Sequence, residues 1–294
     1  MSDMRKPVLP VASGNSSARL ALRHLQLCRC RSSISIGGLS GDRSVSERIC
    51  TTRFLSRETL RNGQPSVVAV DIIALMDVLK IQKAIVGGFD WGGRTADIMA
   101  VLWPERCKGL VSVSGYLIGS QESGKIPLPP KAELQWWYQY YFATERGRAG
   151  YDKYRHDFSK LIWQIASPKR NFDDATFDRT AASFNNPDHV AIVIHNYRWR
   201  QGLAEGESKY DDLEKRLAQA PVITVPTIAM EGDSNGAPHP DPSSYAKKFS
   251  GKYSHRNIAG GSDTICRKRL RRPSPKPSSM LTVSRSRCPR AEHL

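Results

Sequence analysis

Ala84-Ile85-Val86-Gly87-Gly88-Phe89-Asp90-Trp91-Gly92-Gly93, followed by Arg94 to Leu102, is the stretch on which the fold turns. A short apolar run ends in glycines, one acid stands between them, and a helical pattern begins at once, so the reading is strand, sharp turn, helix. Gly88 to Gly92 fits the pattern G-x-Nu-x-G, in which glycines admit a strained turn that lifts the middle side chain above the edge of a parallel sheet. The lifted group here is a carboxylate, that of Asp90. The plainer role for the same residue is a cap on the helix starting near Gly92, which suits a short acceptor side chain.

Working outward, Ser66 to Lys80 places Val68, Ile72, Leu75, Met76 and Leu79 at helical spacing, the pattern of a helix packed on a sheet. Beyond the helix that follows Asp90, Trp103-Pro104 is a stop, and Gly109 to Ser114 is a second β-rich run. Strand, helix and strand with short joints imply a right-handed parallel βαβ unit, whose ligand site lies at the carboxyl ends of its strands. Asp90 and Ser114 to Tyr116 fall there. After the stiff connector Ile126-Pro127-Leu128-Pro129-Pro130, about ninety residues read as aromatic-dense helices with no strand alternation, most of the rings being core. Pro221 to Met230 restores β character, Glu231 to Gly236 is a polar loop, Tyr245 to Phe249 suits a short helix, and Tyr253 to Ile258 one more strand.

Composition separates this middle from both ends. Residues 1–50 carry eight Lys and Arg against three acids, and residues 256–294 carry ten against two, so most of the net charge of +16 belongs to the ends. No basic helix or aromatic-interleaved basic patch accompanies it in the middle, which argues against nucleic acid as a partner. Five of the six cysteines lie at or near the ends, and Cys28-x-Cys30 has no second pair at zinc-ligand spacing. No run of about 18 apolar residues occurs, so no membrane-spanning helix is expected and a cytoplasmic protein is. The acid-free, Arg- and Ser-rich stretch from Met4 to Gly41 also has the composition of a transit peptide. The basic run Arg267 to Pro277 cannot pack a core, and a nuclear-localisation signal is a further reading of it.

Glycines on both sides of Asp90, its place at a strand end and Trp91 directly after it resemble the α/β-hydrolase superfamily. Within it they resemble the Asp-nucleophile branch of epoxide hydrolases and haloalkane dehalogenases, whose elbows commonly read D-W-G. The resemblance covers residues 51–261. It implies an α/β fold with a mostly parallel sheet flanked by helices and an inserted helical cap, incomplete in its N- and C-terminal parts. Residues 51–120 and 216–261 would be the core and 121–215 the cap, with residues 1–50 an aberrant or disordered basic segment and 262–294 a disordered basic tail.

By the same likeness, Asp90 attacks an electrophilic carbon to form an alkyl ester, with Gly88 and Gly92 shaping the elbow and the Trp91 N–H supplying one oxyanion donor. Trp137 to Phe142 and Asn196-Tyr197-Arg198 look like the two cap tyrosine motifs of the epoxide hydrolases, in which phenols hold the epoxide oxygen. Tyr138 and Tyr197 are the choices, with Tyr140 and Tyr141 as rivals. Asp233, in Glu231-Gly232-Asp233, resembles the carboxylate that orients the catalytic His, although Ser234-Asn235-Gly236 also suits a plain turn. The resemblance implies no metal or organic cofactor, and it implies a small apolar substrate and water as the partners.

Two parts of the family pattern are missing: the His after the last core strand, where Gly260 to Thr264 stands instead, and the H-G-x-P loop near the N-terminus. His195, His239 and His255 lie elsewhere and read as structural or exposed. A reading that covers both losses is a shifted frame at each end. Codons can be chosen for Ser262 to Leu270 so that a neighbouring frame reads Gly-His-Asn-Leu-Pro-Gln-Glu-Ala, and for Arg23 to Arg48 so that strand-like sequence results; the coding DNA decides it. A haloalkane dehalogenase is the enzymatic alternative, and an inactive or truncated relative, such as a binding module, is the other.

Overall fold

The computed structural model describes residues 33–37, 54, 56–169, 171–233, 235–236 and 241–258. Five strands form one sheet in the order β1 (Ser33–Gly37), β2 (Ala84–Phe89), β3 (Cys107–Val113), β4 (Thr227–Gly232) and β5 (Tyr253–Ile258). The four strands from β2 to β5 run parallel, as the βαβ reading requires, and β1 pairs antiparallel with β2 from Ser33 opposite Phe89 to Gly37 opposite Ile85. Strand β1 lies inside the segment 1–50 expected to be aberrant or disordered, where its five residues are too short a run to register as a strand by period.

Helix α1 (Pro65–Val78) starts on a proline, whose missing N–H costs nothing at a first position, and packs against α2 (Trp91–Leu102). Helix α2 ends at Trp103, before Pro104, and Ala96, Ile98, Met99, Ala100 and Leu102 are all buried. They join Val68, Ile72 and Met76 of α1 with Val86, Leu110, Ile223 and Ala229 in a single core on the sheet. Burying one such side chain contributes roughly 1.5–3 kcal/mol.

Between β3 and β4 the described residues form helices and turns: α3 (Gln121–Gly124), α4 (Pro130–Gln135), α5 (Tyr138–Ala143), α6 (Glu145–Ala166), α7 (Asp174–Ala181), α8 (His189–Arg200) and α9 (Asp211–Ala218). Thr144 and Asp173 accept the N–H of Gly147 and Thr176 at the starts of α6 and α7, the caps that their residue types favour. The rings divide. Tyr138, Phe142, Tyr151 and Tyr197 belong to the core that reaches the sheet, while Trp163, Phe177 and Phe184 form a satellite cluster.

The helix expected over Tyr245 to Phe249 begins earlier. Asp241 accepts from Ser243 N–H and Pro242 takes the first position of α10 (Pro242–Tyr245), leaving Ala246–Lys248 as a 3-10 turn. No helix among the described residues is long and apolar enough to cross a membrane. Ser234, His239, Gly260 to Thr264, Cys28, Cys30 and the basic run Arg267 to Pro277 lie outside the described residues.

Candidate active site

At the end of β2 the backbone of Asp90 has φ 51° and ψ −123°, a conformation that an L-residue with a Cβ rarely adopts. It follows from close packing of the turn on itself. A Cβ on Gly88 would lie 2.3 Å from the carbonyl carbon of Gly92 and 2.4 Å from its oxygen, so only glycine lets strand and helix approach this closely. The Asp90 carbonyl accepts from Arg94 N–H at 2.9 Å and starts α2. The Asp90 side chain, however, makes no capping hydrogen bond to the helix, so the plain capping role is not the one it plays.

The residue after it is the hinge of the site. Trp91 Nε1 donates to Tyr197 Oη at 3.4 Å, and the two rings meet edge-on with centroids 5.9 Å apart. Tyr197, from α8, meets Tyr138, from α5, perpendicularly at 5.6 Å. Both phenols are buried, and with Trp91, Phe142, Tyr151 and Val193 they line a cavity of about 60 Å³. Of the rival tyrosines, Tyr140 is exposed and donates to Glu133, which raises its own pKa and lowers that of Glu133; Tyr141 stacks on Phe158 at 6.0 Å. Neither lines the aromatic cavity.

The walls are pinned by polar contacts that the sequence did not reveal. Tyr151 Oη pairs with His189 Nε2 at 2.8 Å, and burial followed by the charge of Arg155 pushes the His189 imidazole down to about 3, so it is neutral at ordinary pH. Asn196 Nδ2 donates to Gly63 O at 2.5 Å, and Gly63 N–H donates to His195 Nδ1 at 3.0 Å. His195 Nε2 therefore donates to Glu205 O at 2.9 Å, and burial lowers the pKa of this ring too. The ring braces α8 against the segment before α1, in keeping with its expected structural role.

The third expected acid stands apart from the rings. Asp233 follows β4, its N–H donates to Ile258 O at 3.2 Å, its carbonyl accepts from Lys169 Nζ at 3.3 Å, and it is exposed. Strand β4 is two positions from β2 in the sheet, about 10 Å at the usual strand spacing. Beside it, buried Glu231 accepts from Tyr245 Oη at 2.7 Å, and His255 Nε2 lies 3.9 Å from the same carboxylate oxygen. Burial and then the bond to Glu231 raise the Tyr245 pKa. Thus Tyr138 and Tyr197 come together at Trp91, the residue after Asp90, whereas Asp233 stands at a strand end two positions across the sheet.

Three charged residues near the elbow escaped the sequence reading. Arg94 and Arg200 both lie over the indole of Trp91, and Asp97 is buried two turns along α2 from Asp90. Burial pushes Asp97 up to about 7, against the opposing effects of Leu117 N–H at 2.8 Å, Ser112 and Arg94. Arg94 and Asp97 share the elbow's helix at spacings of four and seven from Asp90, a signal present in the sequence; nothing local connects Arg200. Among the described residues no group of three His, Cys, Asp or Glu side chains could hold a metal ion.

Comparison with known proteins adds the family. The profile of the alpha/beta hydrolase fold matches residues 48–152. A crystal structure of a candidate epoxide hydrolase from Klebsiella pneumoniae subsp. pneumoniae superposes with a TM-score of 0.72 at 63% identity, covering 73% of this chain and 71% of that one. An epoxide hydrolase of Caballeronia sordidicola is 27% identical over 186 residues, 56% of this chain and 55% of that protein. Epoxide hydrolase B of Mycobacterium tuberculosis is 30% identical over 89 residues, 26% of this chain and 25% of that protein. The matches to these two curated relatives therefore span between a quarter and about half of their length.

Proposed function

The chain belongs to the α/β-hydrolase family and is epoxide hydrolase-like, and from that premise we propose that it opens an epoxide through an ester on Asp90. A carboxylate oxygen of Asp90 attacks a ring carbon, the C–O bond of the epoxide breaks, and the electron pair leaves on the ring oxygen. Tyr138 and Tyr197 donate hydrogen bonds to that oxygen and one of them protonates it, giving a hydroxyalkyl ester; water returns the proton to the phenolate. A phenol suits the task because it can donate while neutral at pH 7.

In the second half, water adds to the ester carbonyl, the Trp91 N–H holds the oxyanion, and collapse releases a diol and the Asp90 carboxylate. Asp233 is the counterpart of the acid that orients the family's base for this water. The His that serves as this base in the family has no counterpart in Gly260 to Thr264, so the second half is impaired and the ester accumulates. The helices of residues 121–215 act as the cap that brings the phenols over the elbow, and the partners are a small substrate with an apolar reacting end, and water.

The observation that carries this reading is the positive φ of Asp90 at the end of β2, with a side chain that does not cap its helix and two buried phenols adjoining Trp91. Intact mass after incubation with styrene oxide tests it. An adduct of one epoxide on the wild type, absent from Asp90→Asn, is the expected result, with diol accumulating where the ester is hydrolysed. Tyr138→Phe and Tyr197→Phe should each slow ester formation by about 10²-fold. Neither adduct nor diol from the folded wild type would overturn the assignment, and halide release from a haloalkane in the same assay would move it to dehalogenation.

A further inference from the structure

Beside the aromatic cavity lies a second one of about 220 Å³, lined by Arg94, Ser120, Ser123, Gln139 and Arg200, with Glu133 among its other residues. It has room for several waters, or for a polar group several atoms across. Its two arginines come from different elements, Arg94 from the first turn of α2 and Arg200 from the last residue of α8. Their guanidinium carbons lie 4.9 Å and 5.3 Å from the centroid of the Trp91 ring, and that of Arg200 lies 5.8 Å from the Tyr197 ring.

Among the described residues neither guanidinium has a hydrogen bond or an ion pair; their contacts are with the aromatic faces. The acids nearby offset them only in part. Glu133 already accepts from Leu128 N–H at one oxygen and from Tyr140 Oη at the other. Asp97, held up to about 7, is half neutral at neutral pH. Burial and then Arg200 lower the Arg94 pKa to about 10 against the opposing charges of Asp90 and Asp97, leaving it charged. Two charged forks lining one cavity, beside Ile126, Leu128, Trp136 and Trp199 and with their donors unused, are the arrangement that a planar anion on an apolar body satisfies.

We infer that this cavity is a subsite for a carboxylate, and that the preferred substrates are epoxides bearing one. The inference rests on the reading of Asp90 as nucleophile. Arg94 follows Asp90 by four residues, about one helical turn, and the two charges act on each other, so an anion held by Arg94 lies near the elbow. Trp91 and Tyr197 line the aromatic cavity, and the two arginines that line the second lie against the same rings, which places an apolar reacting end against the rings and a charged end against the arginines. A monoanion is favoured over a phosphate dianion because the Asp90 carboxylate stands close by and repulsion rises with ligand charge.

The test uses the full chain and unreactive probes. Phenylacetate should bind at least about tenfold more tightly than its neutral isostere phenylacetamide, measured by calorimetry. That preference should shrink as salt is raised, vanish in Arg94→Gln and Arg200→Gln, and partly return in Arg200→Lys. Circular dichroism of each variant checks that it is folded. Equal affinity for acid and amide, a preference that survives Arg200→Gln, or binding of inorganic phosphate without phenylacetate overturns the inference. Neither probe can alkylate Asp90, so a protein that selects phenylacetate yet forms no adduct with styrene oxide keeps the subsite and loses only the ester mechanism.

Discussion

On one side of the Trp91 indole the protein is packed with rings, and on the other it carries two arginines with no hydrogen bond or ion pair among the described residues. Phe142 illustrates the first side: 2% exposed, it touches Tyr138, Tyr151, Phe158 and Tyr197 at centroid distances from 4.9 to 6.1 Å. Arg94, Arg200 and Asp97 make up the second, where two cations meet aromatic faces and a buried carboxylate is pushed toward neutrality. The first side stabilises the fold and holds the phenols still. The second costs stability in the empty protein, as sites prepared for a ligand commonly do.

The sharpest way to break this contrast is Phe142→Ala. Removing a fully buried ring from a cluster that cannot collapse should destabilise the protein by about 3–5 kcal/mol. Urea unfolding measures it, and a loss under about 1 kcal/mol would show that the aromatic side is not a structural unit.

Asp97 probes the other side through pH. Its folded pKa, about 7, lies above the ordinary carboxylate value. Between about pH 4 and 7 the unfolded chain gives up this proton while the folded protein keeps it, so stability falls as pH rises and then levels off above 7. The expected fall is about 2–4 kcal/mol, and Asp97→Asn should remove this part of the slope and be more stable than wild type near pH 8. Identical pH profiles for both proteins would show that Asp97 is ordinarily hydrated, and the charged side would then lose its buried acid. Leu117 N–H, Ser112 and Arg94 face the carboxylate, so the measurement is read together with the Arg94→Gln variant.

The same contrast explains what the sequence revealed. The βαβ unit was legible because hydrophobic period and glycine placement are local: β2, α2 and β3 appear within three residues of the expected limits. The aromatic side was legible as helical and ring-rich, since α5 and α8 carry their rings in short runs. Which tyrosines turn inward depends on packing between those helices, so Tyr140 remained a rival until its exposure and its bond to Glu133 were seen. The charged side was illegible for a stronger reason. Arg200 sits 106 residues from Arg94, and a pattern read within one window says nothing about two like charges meeting across the fold. Strand β1 escaped for a local reason instead, because its five residues are too short a run to show a period.

The finest test of the contrast is the stability of Arg200→Gln. Three effects oppose one another there. A cation in the last turn of α8 gains about 0.3–1 kcal/mol from the helix dipole, and contact with the Trp91 and Tyr197 rings contributes about 0.5–1 kcal/mol. Against these stand partial desolvation of the guanidinium and repulsion from Arg94, which lowers the Arg94 pKa as well. The sums are of similar size, so Arg200→Gln should change unfolding free energy by no more than about 0.5 kcal/mol, the range of a substitution without structural duty. A loss above about 2 kcal/mol would mean that Arg200 holds α8 against the elbow and that the two sides of Trp91 serve the same structural purpose. Near-neutral stability combined with lost preference for phenylacetate would separate them: a residue dispensable to the fold and needed for the ligand.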